Sequence, residues 1–253
     1  MLKINSLKKE QLNLLFKYSK MEKWSLEKPH VECQYRNYWG DFFVAYFQNE
    51  LVGFILAIRH TQTFGFISNF IILKRFRGRG FGRELFSHAL KHLGSRQIAL
   101  ESIKGKEQFY KNFGFKSYFD VNVAKFITGS VTLPSSHVEV VDFNEKRSLA
   151  NVDAYMQCLI TDKSIRYKAV KASNAITSYG LCFAYNDGYK VVLNAEDINE
   201  AITLFFECIK DFETGTPIYM QISKLEPLLQ TVRKLLNMKT TIHYTRMYNK
   251  IID

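Results

Sequence analysis

No two cysteines lie at C-x-x-C spacing. Cys33, Cys158, Cys182 and Cys208 are scattered through 253 residues, which argues against a metal site or a disulfide framework and predicts reduced thiols. No apolar run approaches the ~20 residues of a membrane span. The first residues, Met1-Leu2-Lys3-Ile4-Asn5, lack the apolar centre of a signal peptide. These absences predict a cytoplasmic chain with no membrane partner and no metal. Carboxylates are missing from residues 74–83, and net charge is missing from the second half. Residues 129–253 hold 14 Lys/Arg and 14 Asp/Glu, whereas residues 1–128 hold 21 Lys/Arg against 10 Asp/Glu. The whole excess of +11 therefore lies in the first half, and an acidic ligand belongs there.

What is present is a chain able to fold. Apolar residues make up 47% and charged ones 23%, enough to bury a core, and the length fits one or two domains. The organising stretch is Lys74–Arg83 (KRFRGRGFGR). An apolar run, Phe64–Leu73, precedes it. Leu85, Phe86, Ala89, Leu90 and Leu93 follow at helical spacing. The segment reads strand, basic glycine loop, helix. Glycine lets backbone approach a ligand, and the first amides of a helix have no internal partner and favour anions. A plain strand–turn–helix with solubilising arginines would account for the loop alone. The loop has no Gly-Lys-Ser/Thr, and its glycines at 78, 80 and 82 do not make G-x-G-x-x-G.

What fits is Arg-x-x-Gly-x-Gly, at Arg77, Gly80 and Gly82. Downstream lies Tyr110-Lys111-Asn112-Phe113-Gly114-Phe115, a Tyr-x-x-x-Gly-Phe segment. In both features the chain resembles the GNAT superfamily of acetyl-CoA-dependent N-acetyltransferases. The resemblance implies that Phe70, Ile71 and Ile72 pair through their backbone with the pantetheine arm. It also implies that Arg77, Gly78, Arg79, Gly80, Phe81, Gly82 and Arg83 hold the pyrophosphate. Tyr110 matches the family's general acid. Glu101, ending the strand after the long helix, and His60, read as lying on the third strand, are the candidates for general base. Two-part relatives carry Asp-Gly where this chain has Glu101-Ser102, which puts the same role and substrate in doubt. The aromatics between Trp24 and Trp39 are candidates for acceptor contact.

The expected fold class is α/β, a GNAT fold followed by a degenerate GNAT-like domain. Residues 1–128 read as the cofactor-binding domain, 129–137 as a linker of small residues, and 138–253 as the second domain. In the first half, strands are expected at 2–7, 41–48, 51–62, 64–73 and 97–101, with further strand over 115–127. Helices are expected from Ser6 to Lys20, from the loop to Gly94 and over 106–113. In the second half, strands are expected at 138–143, 178–184, 189–193, 217–221 and 241–248. Helices are expected over 144–160 and 197–209, with another from a Ser223/Glu226 capping box. Before its long helix the second half offers Asn194-Ala195-Glu196-Asp197, carboxylates rather than a phosphate cradle. Arg246-Met247-Tyr248 and Gly188-Tyr189-Lys190 resemble the second halves of two-part acetyltransferases.

The leading functional reading is transfer of an acetyl group from acetyl-CoA to a primary amine, small or amino-acid-like, by direct attack in a ternary complex. The alternative is a CoA- or nucleic-acid-binding protein without turnover. Only Phe76 and Phe81 interleave with the cations of 76–83, which is thin for base stacking.

Overall fold

The computed structural model describes residues 1–130, 139–142, 153–172 and 175–250. The chain divides into two units, Met1–Phe119 with the segment from Tyr244 onward, and Asp120–His243. The C-terminal residues thus belong with the first unit, which a division at the linker does not show. Residues 131–137 of the expected linker, and 144–152 of the helix expected after it, lie outside the described residues.

The first unit begins with β1 (Lys3–Ser6), α1 (Leu12–Met21) and α2 (Lys28–Tyr38). The sequence pattern did not reveal α2. Its residues are mostly polar and only Val31 and Cys33 are buried, so no apolar stripe marks it. Strands β2 (Phe42–Phe47), β3 (Glu50–Ile58) and β4 (Phe64–Ile72) form an antiparallel meander. The β2–β3 turn is made by Gln48 and Asn49, both at positive φ (49° and 64°), the geometry of a two-residue hairpin loop. Helix α3 (Phe81–Leu93) follows the loop and buries Phe81, Leu85, Phe86, Ala89 and Leu93. It stops at Gly94, at φ +63°, a conformation that costs side-chain-bearing residues.

Strand β5 (Gln97–Ile103) runs parallel to β4 after this helical crossover. The short helix α4 (Glu107–Lys111) comes next, and then β6 (Lys116–Ile127), which continues into the second unit. The last strand, β12 (Lys239–Tyr248), lies antiparallel to β5 with Tyr244 opposite Ile103 and Tyr248 opposite Ala99. Met247 of this strand is fully buried in the first unit's core.

The second unit adds β7 (Val140–Asp142), α5 (Ala154–Thr161), β8 (Arg166–Ala172), β9 (Ala175–Tyr185), β10 (Gly188–Asn194), α6 (Ile198–Ile209), β11 (Pro217–Ser223) and α7 (Pro227–Leu235). Its strand order is β6-β11-β10-β9-β8-β7. β10 and β11 are parallel with α6 between them in sequence, the same plan as β4-α3-β5. Gly188 is required by space, since a Cβ there would fall 2.0 Å from the Pro217 carbonyl oxygen. Of the Ser223/Glu226 capping pattern, the Glu226 carboxylate accepts from Ser223 N at 2.6 Å, but the Ser223 hydroxyl accepts from Leu225 N and the helix begins only at Pro227, with Glu226 at its N-cap. Cys182 and Cys208 are free and buried. Cys33 and Cys158 are disulfide-bonded, which corrects the expectation of reduced thiols for those two, because wide spacing along a chain does not exclude a bond.

Candidate active site

The loop after β4 is shaped by two glycines at positive φ, Gly78 (76°) and Gly80 (82°). Nothing lies within 4 Å of a Cβ built on either, so backbone angle rather than crowding calls for glycine here. Gly80 is the N-cap of α3, and Arg83 N and Glu84 N both turn back to its carbonyl at 3.0 and 3.2 Å. The amides of Phe81 and Gly82 head the helix with no intrahelical acceptor. Helix N-termini of this kind favour anions.

The loop's cations are not equivalent. Arg75 pairs with Glu50 at 3.0 Å. Arg77 pairs with Glu22 at 2.7 Å and donates from Nε to the Ile72 carbonyl at 2.7 Å. Arg79 instead lies over the rings of Phe47, Phe76 and Phe81, 5.0–5.5 Å from their centroids. Arg83 lies 5.6 Å from the Phe113 centroid. Arg79 and Arg83 therefore carry charge that no carboxylate of the described residues neutralises.

Strands β4 and β5 part company beside this loop. Their pairing runs from Phe64 opposite Gln97 to Ile67 opposite Leu100 and then ends. A bulge helps: Phe54 faces Ile71 while Leu56 faces Ser68, so one residue of β3 spans two of β4, and Asn69 sits at φ +49°. Such a bulge bends and twists its strand. Beyond the fork, Phe70–Ile72 presents an edge that no described strand pairs on the β5 side. Glu101, on β5, is the first residue past the last paired position.

Tyr110 approaches the same end of the strands. Its ring packs edge-on against Phe86 and Phe109, at 5.4 and 5.2 Å. Phe109 in turn packs on Phe70 at 5.5 Å. The Tyr-x-x-x-Gly-Phe segment has a local reason: the Tyr110 carbonyl accepts from both Phe113 N (2.9 Å) and Phe115 N (3.2 Å), with Gly114 at φ +86° making the turn. Burial pushes the Tyr110 phenol up to about 12, because an anion there would lose hydration. The phenol keeps its proton throughout the neutral range.

The two candidate bases fare differently. The Glu101 carboxylate meets the Arg246 guanidinium at 2.5 Å, directly across the β5–β12 ladder. His60 lies just beyond the end of β3, exposed, beside Tyr38 and Phe64. It borders a hollow of about 590 Å³ lined also by Trp39, Arg59 and Arg96. Since Ile58 faces Phe66 and Gly53 faces Ile72, His60 flanks the Phe64 end of β4, roughly 10 Å from the fork at Ile67 and roughly 25 Å from Ile72 at ~3.3 Å per residue. Tyr110 is thus linked to the Phe70–Ile72 edge through Phe86 and Phe109, Glu101 lies one residue past the end of the β4–β5 pairing, and His60 lies beside the other end of that pairing, at Phe64.

The second unit's corresponding helix start is closed by its own side chains. Asp197 accepts from Asn199 N and Glu200 N at 2.7 and 3.0 Å. Glu200 accepts from Glu196 N and from the Ser178 hydroxyl. Carboxylates occupy the place an anion would take.

The family described as "Acetyltransferase (GNAT) domain" matches residues 38–117, the span holding the meander, the loop, the fork and Tyr110. Residues 38–117 are a GNAT acetyltransferase domain. Over the whole length the chain is similar to a holothin acyltransferase of Pseudoalteromonas sp. (strain SANK 73390), 19% identical over 249 residues, covering 94% of this chain and 85% of that one. Within the GNAT part it is similar to the N-alpha-acetyltransferase MAK3 of Arabidopsis thaliana, 33% identical over 103 residues, 36% of this chain and 54% of that protein. Among solved structures, a putative acetyltransferase from Pyrococcus horikoshii superposes with TM-score 0.78 at 13% identity, covering 98% of this chain and 88% of that one. A tandem GNAT protein from the clavulanic acid biosynthesis pathway gives 0.70 at 10% identity, covering both chains fully. The fold is thus α/β, with a GNAT fold followed by a second GNAT-like half.

Sequence reasoning missed Glu22 and the bulge at Asn69, and it quoted Arg246 only as part of a motif. The polar α1 end carries no signal for a partner 55 residues on. The positive φ of Asn69 could have been suspected from asparagine inside an apolar strand.

Proposed function

We propose that the chain is an acetyl-CoA-dependent N-acetyltransferase, joining cofactor and primary amine in a ternary complex. The observation that carries this is the fork: a loop of anion-ready amides, an unpaired β4 edge, a buried phenol and a carboxylate converge at one end of two parallel strands. Acetyl-CoA, when bound, supplies the thioester. The Phe81 and Gly82 amides, with Arg79 and Arg83 nearby, would hold its pyrophosphate. The edge of Phe70–Ile72 would take the pantetheine as an added strand and orient the carbonyl, contributing through proximity and hydrogen bonding. Tyr110, protonated at neutral pH, would give its proton to the departing thiolate. Glu101 would receive the amine at the fork. The acceptor is a small or amino-acid-like amine. The similarity to an acyltransferase and to an N-alpha-acetyltransferase supports acyl transfer.

A thiol-release assay with acetyl-CoA tests this against glycine, lysine, spermidine, tyramine and basic peptides, with product mass measured. An amine-dependent release and a product heavier by one acetyl group are expected. Tight acetyl-CoA binding with no release for any amine would favour the non-catalytic reading.

A further inference from the structure

Arg246 lies 145 residues from Glu101 in sequence, yet the β5–β12 register sets the two directly opposite. Directly opposed residues of an antiparallel pair project from the same face. Leu100 and Met247, the neighbouring pair, are in the buried core, so Glu101 and Arg246 project from the other face. There the guanidinium carbon is 5.2 Å from the Phe66 centroid and 5.8 Å from that of Phe119. Phe66 is opposite Ala99, the last position but one before β4 and β5 part. The guanidinium is therefore fixed by rings at the root of the fork, and its Nη2 reaches the carboxylate one residue past the root, at 2.5 Å.

Stability alone is a poor account of the arrangement. Both side chains are largely shielded, at 16% and 23% exposure, and Arg246 Nε is buried with no hydrogen-bond partner among the described residues. An unsatisfied buried donor costs free energy, and a shielded ion pair stabilises little more than apolar side chains of similar size. What the pair does provide is a carboxylate held in one orientation. A planar guanidinium, stacked on rings, is suited to that in a way an ammonium is not.

We propose that Arg246 is the positioning residue for Glu101, and that the chain's last strand thereby completes the amine-binding side of the fork. This rests on the N-acetyltransferase reading above. Arg246 touches neither cofactor nor amine; it acts through the Glu101 carboxylate. The acceptor is then received as an amine hydrogen-bonded to an oriented carboxylate, and cofactor binding is independent of Arg246.

The test uses the full chain, acetyl-CoA and whichever amine of the panel above gives the highest release. Arg246→Met should lower kcat/KM for the amine by about 10²-fold, the cost of misplacing a reacting group by ~1 Å. The KM for acetyl-CoA should stay within twofold. Arg246→Lys should recover part of the loss, since charge returns without the fork-shaped donor. A Glu101→Gln/Arg246→Met double variant removes both charges, so it folds even where the single leaves a stranded carboxylate. It should be no slower than Glu101→Gln alone. Independent, multiplying losses in the double variant, or Arg246→Met with unchanged amine kinetics, would overturn the proposal. Absence of release with every amine, in wild-type protein, would instead overturn the parent reading and this inference with it.

Discussion

Arg77 is tied at both ends: its Nε donates to the Ile72 carbonyl at 2.7 Å and its Nη2 pairs with Glu22 at 2.7 Å. The first residue of the glycine motif thus straps the loop to the end of β4 and to the end of α1. Its charge is already engaged, so its contribution to phosphate binding is through loop shape. Opposite outcomes separate strap from ligand. As a strap, Glu22→Gln should weaken acetyl-CoA binding a few-fold, in line with about 0.2–1 kcal/mol for a part-exposed pair. Were Arg77 a direct phosphate ligand, releasing it from Glu22 would tighten binding. Equilibrium titration of the two proteins reads the sign.

Tyr110→Phe should lower kcat by roughly 10²–10⁴-fold if thiolate protonation limits the rate, with acetyl-CoA affinity nearly unchanged, since the ring contacts with Phe86 and Phe109 remain. Single-turnover rates and a binding titration check this. Equal kcat values would leave Tyr110 as packing.

The same burial makes a stability prediction. Tyr110 and Tyr167 are both pushed up to about 12, above the ordinary value near 10. The folded state then holds phenolic protons that the unfolded state releases first. Their contribution is fully present below pH ~10 and is lost as pH rises towards ~12. Denaturant midpoints should fall across that window, and Tyr110→Phe should flatten part of the fall. A midpoint constant from pH 9 to 12 would contradict the burial.

Met247 tests the place of the C-terminal strand. It is fully buried in the first unit's core, although 147 residues in sequence separate it from Leu100, which it faces across the β5–β12 ladder. Met247→Ala should destabilise by about 2–5 kcal/mol, measured by urea unfolding of the first unit's signal. A change below ~0.5 kcal/mol, the range of a surface substitution, would contradict it.

Much of this was legible in the residues. Apolar runs marked β2 to β4. The helical spacing of Leu85 to Leu93 marked α3, and the crossover made β5 parallel. The Arg-x-x-Gly-x-Gly segment marked the loop before α3, and the helix expected over 106–113 is seen as α4, with Gly114 turning at positive φ. Other features depended on tertiary geometry. His60 read as a strand residue, but strand direction puts it at the Phe64 end of β4, and direction relative to a site is invisible until the pairing is known. The Glu101–Arg246 contact is set by register between strands 145 residues apart. Helix α2 has too few buried residues to leave a period.

Gly80 and Gly82 separate strain from ligand exclusion. Gly80 sits at φ +82°, so Gly80→Ala should cost about 1–2 kcal/mol through backbone strain, seen as a lowered Tm with affinity reduced secondarily. At Gly82 no positive φ is needed, and a Cβ would meet Ile72 and Phe70 at an ordinary 3.5 Å. Gly82→Glu should therefore keep the fold while setting a negative charge at the helix amides.

Calorimetric titration of the full chain with acetyl-CoA, in wild-type and Gly82→Glu protein of matched Tm, measures the cofactor site directly. One site per chain is expected in wild-type protein, because Asp197 and Glu200 already fill the helix start in the second unit, and no measurable binding is expected in the variant. Two sites per chain, or unchanged affinity in folded Gly82→Glu protein, would contradict the account.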